Sequence, residues 1–131
     1  YLVTMRKPGD NAEPVSHTNE DFPVDLWQRY ASPVWFDINA SKTLQYMSAR
    51  EDADERHICP LQLEVIERAL KMWSNPGDTV LSPFTGIGSE GYVALREGRR
   101  FVGAELKESY YRQAAANLAA VCAEEKQGGL F

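Results

Sequence analysis

The chain has 131 residues, of which 44% are hydrophobic and 25% charged, and its formal net charge is −5. This composition is typical of about one globular domain, and no apolar run reaches the roughly 20 residues that a membrane-spanning helix needs. A free-standing nucleic-acid-binding domain is usually basic, so the acidic balance argues against an isolated DNA-binding module.

The first third of the chain is predicted to be mostly loop. Residues 1–6 (YLVTMR) have the composition of a strand, which ends at Pro8 and Gly9 because proline cannot donate a ladder hydrogen bond and glycine favours a turn. Residues 9–33 are polar and rich in proline, with a short helical turn near DLWQRY. A loop of this length is usually functional or disordered. Residues 34–38 (VWFDI) fit either a short strand or an aromatic plug into the core.

The rest of the chain predicts an α/β fold with parallel strands and a crossover helix. Apolar residues recur at helical spacing over 61–73, and a turn rich in Asn, Pro and Gly follows. The pattern then predicts a strand over 79–81, a helix over 89–97, a strand over 101–105 and an alanine-rich helix over 109–125. Two strands joined by a helix in this way almost always run parallel.

Three glycines follow the first of these strands at G-x-G-x-x-G spacing: Gly86, Gly88 and Gly91. Such a turn directs backbone N–H groups outward at a helix N-terminus and lets a ligand approach the backbone closely. Glu105 lies 17 residues past Gly88, where a carboxylate can accept hydrogen bonds from ribose hydroxyls. The pattern predicts a nucleoside site, for an NAD-like dinucleotide or for S-adenosylmethionine. The bulky Pro83-Phe84 pair before the turn favours the second, because a pyrophosphate needs a free helix N-terminus.

Residues 57–118, from HICPLQLEVIERAL through NPGDTVLSPFTGIGSEG to GRRFVGAELKESYY, resemble the C-terminal half of DNA amino-methyltransferases, which modify adenine N6 or cytosine N4. The resemblance is to the circularly permuted order, in which the catalytic motif precedes the cofactor motif. The opening YLVTMRKPG is similar to the strand before the variable DNA-contacting region. The resemblance implies a partial Rossmann-like, S-adenosylmethionine-dependent methyltransferase fold. It also implies direct methyl transfer to an exocyclic amine, without a metal or a covalent enzyme intermediate.

The resemblance also implies which residues bind the cofactor. The motif after the first strand would wrap the methionine and adenosine parts, Glu105 would bind the ribose, and the segment before the cofactor helix would hold the methionine end. The implied residues are His57, Cys59, Pro60, Pro83, Phe84, Thr85, Gly86, Gly88, Ser89 and Glu105. Two positions depart from the family pattern. Ser82 stands where the family has an Asp that faces the methionine ammonium, and Leu61-Gln62 stand where it has Lys-Pro.

The catalytic tetrad of this family, Asp/Asn/Ser-Pro-Pro-aromatic, is missing from the sequence. Residues 32–35 (SPVW) lack the second proline, and we interpret them as core packing or as cover for the cofactor. The start at Tyr1 leads us to expect a piece of a longer protein with the tetrad upstream. Residues 1–56 would then be the end of the catalytic region with a long loop, and residues 57–131 the cofactor-binding subdomain. The candidates for DNA backbone contacts are Lys7, Arg29 and Lys42.

The leading hypothesis is the cofactor-binding part of a cytoplasmic, prokaryotic or phage-encoded DNA methyltransferase, from a restriction-modification system or a prophage, and inactive by itself. DNA is the expected partner, with no membrane and no metal. Cys59 and Cys122 are 63 residues apart, which predicts no zinc site and favours two reduced thiols. Two alternatives stay open: an NAD-binding fragment of an oxidoreductase, and a non-catalytic relic or partner-binding module, which Ser82 favours.

Overall fold

The computed structural model describes residues 1–45 and 59–128. Within these ranges the elements are α1 (Val24–Tyr30), α2 (Leu63–Trp73), β1 (Thr79–Ser82), α3 (Ser89–Arg96), β2 (Arg100–Gly103) and α4 (Glu108–Gly128). The two strands pair in parallel, with Thr79 opposite Arg100 and Ser82 opposite Gly103. The predicted α/β class and the predicted parallel pairing are therefore confirmed. None of the helices in the described ranges combines the length and the apolar character that a membrane crossing would need.

Helix α3 is the centre of the packing. It contacts both strands on one side and lies against α2 and α4 on the others. The buried apolar side chains in the described ranges are Phe22, Tyr30, Ile66, Ile87, Val93, Ala94, Ala114 and Val121. All except Phe22 and Tyr30 come from these three helices and the turn before α3, which therefore form most of the core.

The third glycine of the motif serves this packing. A Cβ atom built on Gly91 would lie 2.7 Å from the Phe101 ring and 2.8 Å from Leu118 Cδ2. Both distances are shorter than carbon atoms allow, so only a hydrogen atom fits between α3 and its neighbours. Gly91 therefore acts in helix–strand packing, which is the role of the third glycine in nucleotide-binding turns.

The opposite face of the sheet is uncovered among the described residues. Leu81 and Val102 are paired across the two strands and are 69% and 55% exposed. Their neighbours Val80 and Phe101 are half-buried on the helical side. Parallel sheets are normally covered on both faces, so this face of the sheet is incomplete in the described part of the chain.

One prediction for the N-terminal segment is wrong, and one of the two alternatives for residues 34–38 is excluded. Residues 1–6 form no strand, and all six are exposed, because nothing in the described ranges pairs with their backbone. Residues 34–38 form no strand either, although Trp35 is half-buried and its Nε1 donates to the Tyr30 carbonyl oxygen at 3.0 Å. Of the two alternatives for residues 34–38, the aromatic plug therefore describes Trp35 better than the strand. The helical turn near DLWQRY is confirmed as α1.

A buried arginine ties this segment to α2. Arg68 is 4% exposed, and its guanidinium carbon lies 5.0 Å from the ring centroids of both Tyr30 and Trp35. Its Nη2 donates to Asp37 Oδ2 at 2.8 Å, and Arg29 Nε donates to the same oxygen at 2.7 Å. The hydrogen bonds from Arg68 and then from Arg29 hold the pKa of Asp37 well below its ordinary value. The Asp37 carboxylate therefore neutralises the buried Arg68 guanidinium of α2, which lies 31 residues later in the chain.

Replacing Gly91→Ala should lower the free energy of unfolding by about 1–3 kcal/mol, because the added methyl group overpacks the contact with Phe101 and Leu118. This loss is expected although alanine is intrinsically the better helix former. Urea denaturation measures it. In the double variant Gly91→Ala/Phe101→Leu, the loss should be smaller than the sum of the single losses, since the smaller side chain vacates the space. Additive losses would contradict the packing argument.

Replacing Asp37→Asn should lower the thermal midpoint at pH 7, because Arg68 then keeps a buried charge without its carboxylate. The lowered pKa of Asp37 fixes the sign of the pH dependence. The contribution of the Asp37 carboxylate to stability is present above the ordinary carboxyl pKa and is lost as the pH falls towards its lowered pKa in the folded protein. The difference in thermal midpoint between the parent and Asp37→Asn should therefore shrink below about pH 5. Asp10→Asn, in the exposed loop, is the matched control. Equal midpoints for the parent and Asp37→Asn at pH 7 would refute the anchoring role.

Candidate functional site

The turn between β1 and α3 depends on two glycines with left-handed backbone conformation. Gly86 has φ of 54° and Gly88 has φ of 88°, values that residues with a side chain rarely adopt. Gly88 is the N-cap residue of α3, and its N–H donates to the Thr85 carbonyl oxygen at 2.9 Å. Thr85 is buried, and its hydroxyl donates to the Ser82 carbonyl oxygen at 3.2 Å. The turn is therefore held by its own backbone and by Thr85, before any ligand is considered.

Glu105 is joined directly to this turn. Its Oε2 accepts a hydrogen bond from the Gly86 N–H at 2.8 Å, and its Oε1 accepts one from the Lys107 N–H at 2.9 Å. Glu105 lies two residues past the end of β2, so the prediction of a strand through 105 is wrong at that end. A carboxylate has about four acceptor positions, so both oxygens retain acceptor capacity after these two bonds. The structure thus fixes the carboxylate beside Gly86.

A cleft of about 190 Å³ opens between the turn, the residues before α2 and the start of α4. Six of the ten residues that the resemblance implied line it together: Cys59, Pro60, Phe84, Thr85, Gly86 and Ser89. Gly88 and Glu105 belong to the adjoining turn and its carboxylate contact. Pro83 is exposed and does not line the cleft. His57 lies outside the described residues.

Sequence reasoning missed two polar residues that line this cleft. Glu90 is half-buried in the first turn of α3, and burial raises the pKa of its carboxyl, an effect that its own backbone N–H partly offsets. Tyr110 lies on α4, and the Lys107 ammonium is 4.5 Å from the centroid of its ring. An acidic residue in the first turn of a helix is common for electrostatic reasons, so the sequence alone gave Glu90 no special weight.

The cleft has the size and the openness of a partial pocket. Complete small-molecule pockets usually hold at least about 300 Å³, which exceeds the volume found here. The side chain of Phe84 lines the cleft and is nevertheless 86% exposed. One wall of the pocket is therefore open in the described part of the chain.

A larger cavity of about 840 Å³ lies elsewhere, between the N-terminal segment, α1 and the end of α2. Its walls are mainly aromatic and include Trp27, Tyr30, Trp35 and Trp73. The SPVW stretch, residues 32–35, lines it, with Ser32 and Trp35 half-buried and Pro33 and Val34 exposed. It contains none of the residues implied for the cofactor, and the glycine turn is not part of it. The smaller cleft is therefore the candidate site for the implied cofactor residues.

The remaining predicted features are distributed over the surface. Arg29 pairs with Asp37, and Lys42 Nζ lies 3.3 Å from Glu64 Oε1, whereas Lys7 is exposed. Both thiols, of Cys59 and Cys122, are free and exposed, as the sequence favoured. Within residues 1–45 and 59–128, no three His, Cys, Asp or Glu side chains are grouped closely enough to hold a metal ion.

Two curated proteins are similar in sequence to this chain. "Putative methylase YubD" of Escherichia coli K12 is 36% identical over 84 residues, which are 64% of this chain and 35% of that protein. "Type II methyltransferase M1.MboII" of Moraxella bovis is 41% identical over 58 residues, 44% of this chain and 22% of that protein. The chain thus spans about a third or less of the curated relatives that it matches.

Among solved structures, the chain is similar to TTHA0409 of Thermus thermophilus, a "Putative DNA Modification Methylase" crystallised in complex with S-adenosyl-L-methionine. The TM-score is 0.65 at 31% identity, over 88% of this chain and 42% of that one. A family model described as DNA methylase, of the N6/N4 type, matches residues 3–116. Because this match covers well over half of the sequence, the chain belongs to the N6/N4 DNA methylase family.

Proposed function

We propose that this chain is the S-adenosylmethionine-binding part of a DNA methyltransferase that modifies the exocyclic amino group of adenine or cytosine. The observation that carries the proposal is the cleft, which gathers six of the ten implied cofactor residues beside the Gly86–Glu105 hydrogen bond. Family membership supports it, as does the likeness to a methylase that was crystallised with S-adenosylmethionine.

The residues of the cleft fit this cofactor chemically. Glu105 is oriented by two backbone N–H groups and retains acceptor positions for the two ribose hydroxyls. The exposed ring of Phe84 and the side chain of Ile87 offer apolar surface for a base. S-adenosylmethionine supplies, when bound, an electrophilic methyl group on a positively charged sulfur. The carboxylate of Glu90 gives the cleft the negative charge that suits a cationic ligand.

The charge of the cleft argues against the NAD alternative. Among the described residues that line it, none is Lys or Arg, and Glu90 is an acid at the helix N-terminus. A dinucleotide needs this place for the two negative charges of its pyrophosphate, which a neighbouring carboxylate repels. The glycine spacing is compatible with both ligands, so the surrounding charges decide between them.

The chemical step needs residues that these 131 do not contain. The sequence has no Pro-Pro-aromatic tetrad to accept hydrogen bonds from the target amine and to stack on the flipped base. The chain also spans 42% of the similar T. thermophilus methylase. In our proposal residues 57–131 hold the cofactor, and residues 1–56 form the last part of the catalytic region. The second segment also contacts DNA, with Lys7, Arg29 and Lys42 near the phosphates. The tetrad comes from another part of a cytoplasmic, prokaryotic or phage-encoded enzyme.

Calorimetric titration of this chain with S-adenosylmethionine should show binding with a Kd of about 0.1 mM, or about −5 to −6 kcal/mol, as expected of an open half-pocket. Glu105→Ala should weaken it by about tenfold or more, because charge-assisted hydrogen bonds to the ribose and to the turn are lost together. Glu124→Ala, at an exposed position on α4, should leave it unchanged.

NAD is the matched ligand control and should give no binding heat. Heat with NAD and none with S-adenosylmethionine would contradict the proposal and favour the oxidoreductase alternative. A folded chain that responds to neither ligand would favour the relic.

A further inference from the structure

Glu90 lies in the first turn of α3 and lines the cleft. It is half-buried, its carboxylate is held only by its own backbone N–H, and no cation is paired with it among the described residues. Burial raises the pKa of this carboxyl because it disfavours the ionised form, and the hydrogen bond from its own backbone N–H offsets part of the rise. The Lys107 ammonium lies over the ring of Tyr110, which lines the same cleft. A half-buried carboxylate without a cation is costly, so a cationic ligand in the cleft would stabilise it.

The neighbours of Glu90 narrow the kind of ligand group that it can bind. Ser89 and Gly86 line the same cleft, and Glu105 is hydrogen-bonded to Gly86. Ser82, at the end of β1, is a neutral side chain, so that strand end provides no charge for a cation. A carboxylate is an acceptor without donors when it is ionised. The complementary group is therefore a cation that donates hydrogen bonds.

We propose that the Glu90 carboxylate binds the α-ammonium group of the methionine part of the cofactor. This inference rests on the proposed function and adds a cofactor-binding residue and the group that it recognises. An ammonium donates three hydrogen bonds, whereas the sulfonium centre donates none, so the ammonium is the better partner for a half-buried carboxylate. The methionine carboxylate is repelled by Glu90 and points away from it. Bound in this way, the cofactor supplies the counter-charge that the ligand-free cleft lacks.

The test compares three ligands on the parent chain and on Glu90→Gln by NMR titration of the Gly86 and Gly88 amide signals, which resolves millimolar constants. S-adenosylmethionine and S-adenosylhomocysteine both carry the α-ammonium, and 5′-methylthioadenosine lacks it. Glu90→Gln should weaken the first two by the same factor, about tenfold or more, and should leave the third unchanged. Glu97→Gln, at the other end of α3, is the matched control and should alter none of the three.

Stability provides a readout that separates ligand binding from a structural role. The ligand-free Glu90→Gln variant should have a thermal midpoint equal to or above that of the parent, because it no longer buries an unpaired carboxylate. A lower midpoint together with equal weakening of all three ligands would overturn the inference in favour of a structural role. Weakening of S-adenosylmethionine alone would assign Glu90 to the sulfonium and would overturn the ammonium contact.

The failures of the two proposals are distinguishable. If the parent chain binds S-adenosylmethionine and Glu90→Gln binds it equally well, the Glu90 inference is wrong and the proposed function stands. If the parent chain binds none of the three adenosine ligands, the proposed function is wrong and the Glu90 inference is refuted with it. If Glu105→Ala loses binding and Glu90→Gln binds normally, the ribose contact holds the cofactor in the cleft without Glu90, and the Glu90 inference is wrong.

Discussion

The hydrogen bond from the Gly86 N–H to the Glu105 carboxylate is the contact on which the site depends. It joins the turn after β1 to the chain just past β2, and parallel pairing makes this possible because both strands end at the same edge of the sheet. The bonds between Thr85 and Ala104 and between Ala104 and Ser82 extend the ladder into the turn. The glycine turn and the acidic residue are therefore one preorganised unit, although 19 residues separate them.

The three glycines of the motif have two different structural roles. Gly86 and Gly88 supply the left-handed backbone of the turn, and their N–H groups donate to Glu105 and Thr85, whereas Gly91 lets α3 lie against the Phe101 ring. The motif thus combines two glycines that shape the turn with one that allows close helix–strand packing.

The sequence predicted the elements from α2 onward because their periods and turn residues are local signals. It failed at residues 1–6, since strand composition does not reveal whether a partner strand exists. It also gave no sign that Arg68 is buried, because the two rings and the Asp37 carboxylate that accommodate it come from a segment about 30 residues earlier. For the site, the contiguous motif was predictable, but Glu90 and Tyr110 become lining residues only once α3 and α4 are packed.

The two carboxylates near the turn have different surroundings, and this difference suggests different tasks. Glu105 is satisfied by two backbone N–H groups, which keep it in place whether or not a ligand is bound, and such a fixed acceptor suits neutral hydroxyl groups. Glu90 is held only by its own backbone N–H, and burial raises the pKa of its carboxyl because the charge is partly shielded from water at an energetic cost. A cationic ligand removes that cost on binding, whereas an anionic dinucleotide would add to it. The unfavourable burial of the Glu90 charge can therefore make the cleft selective for a ligand that carries an ammonium group as well as a ribose.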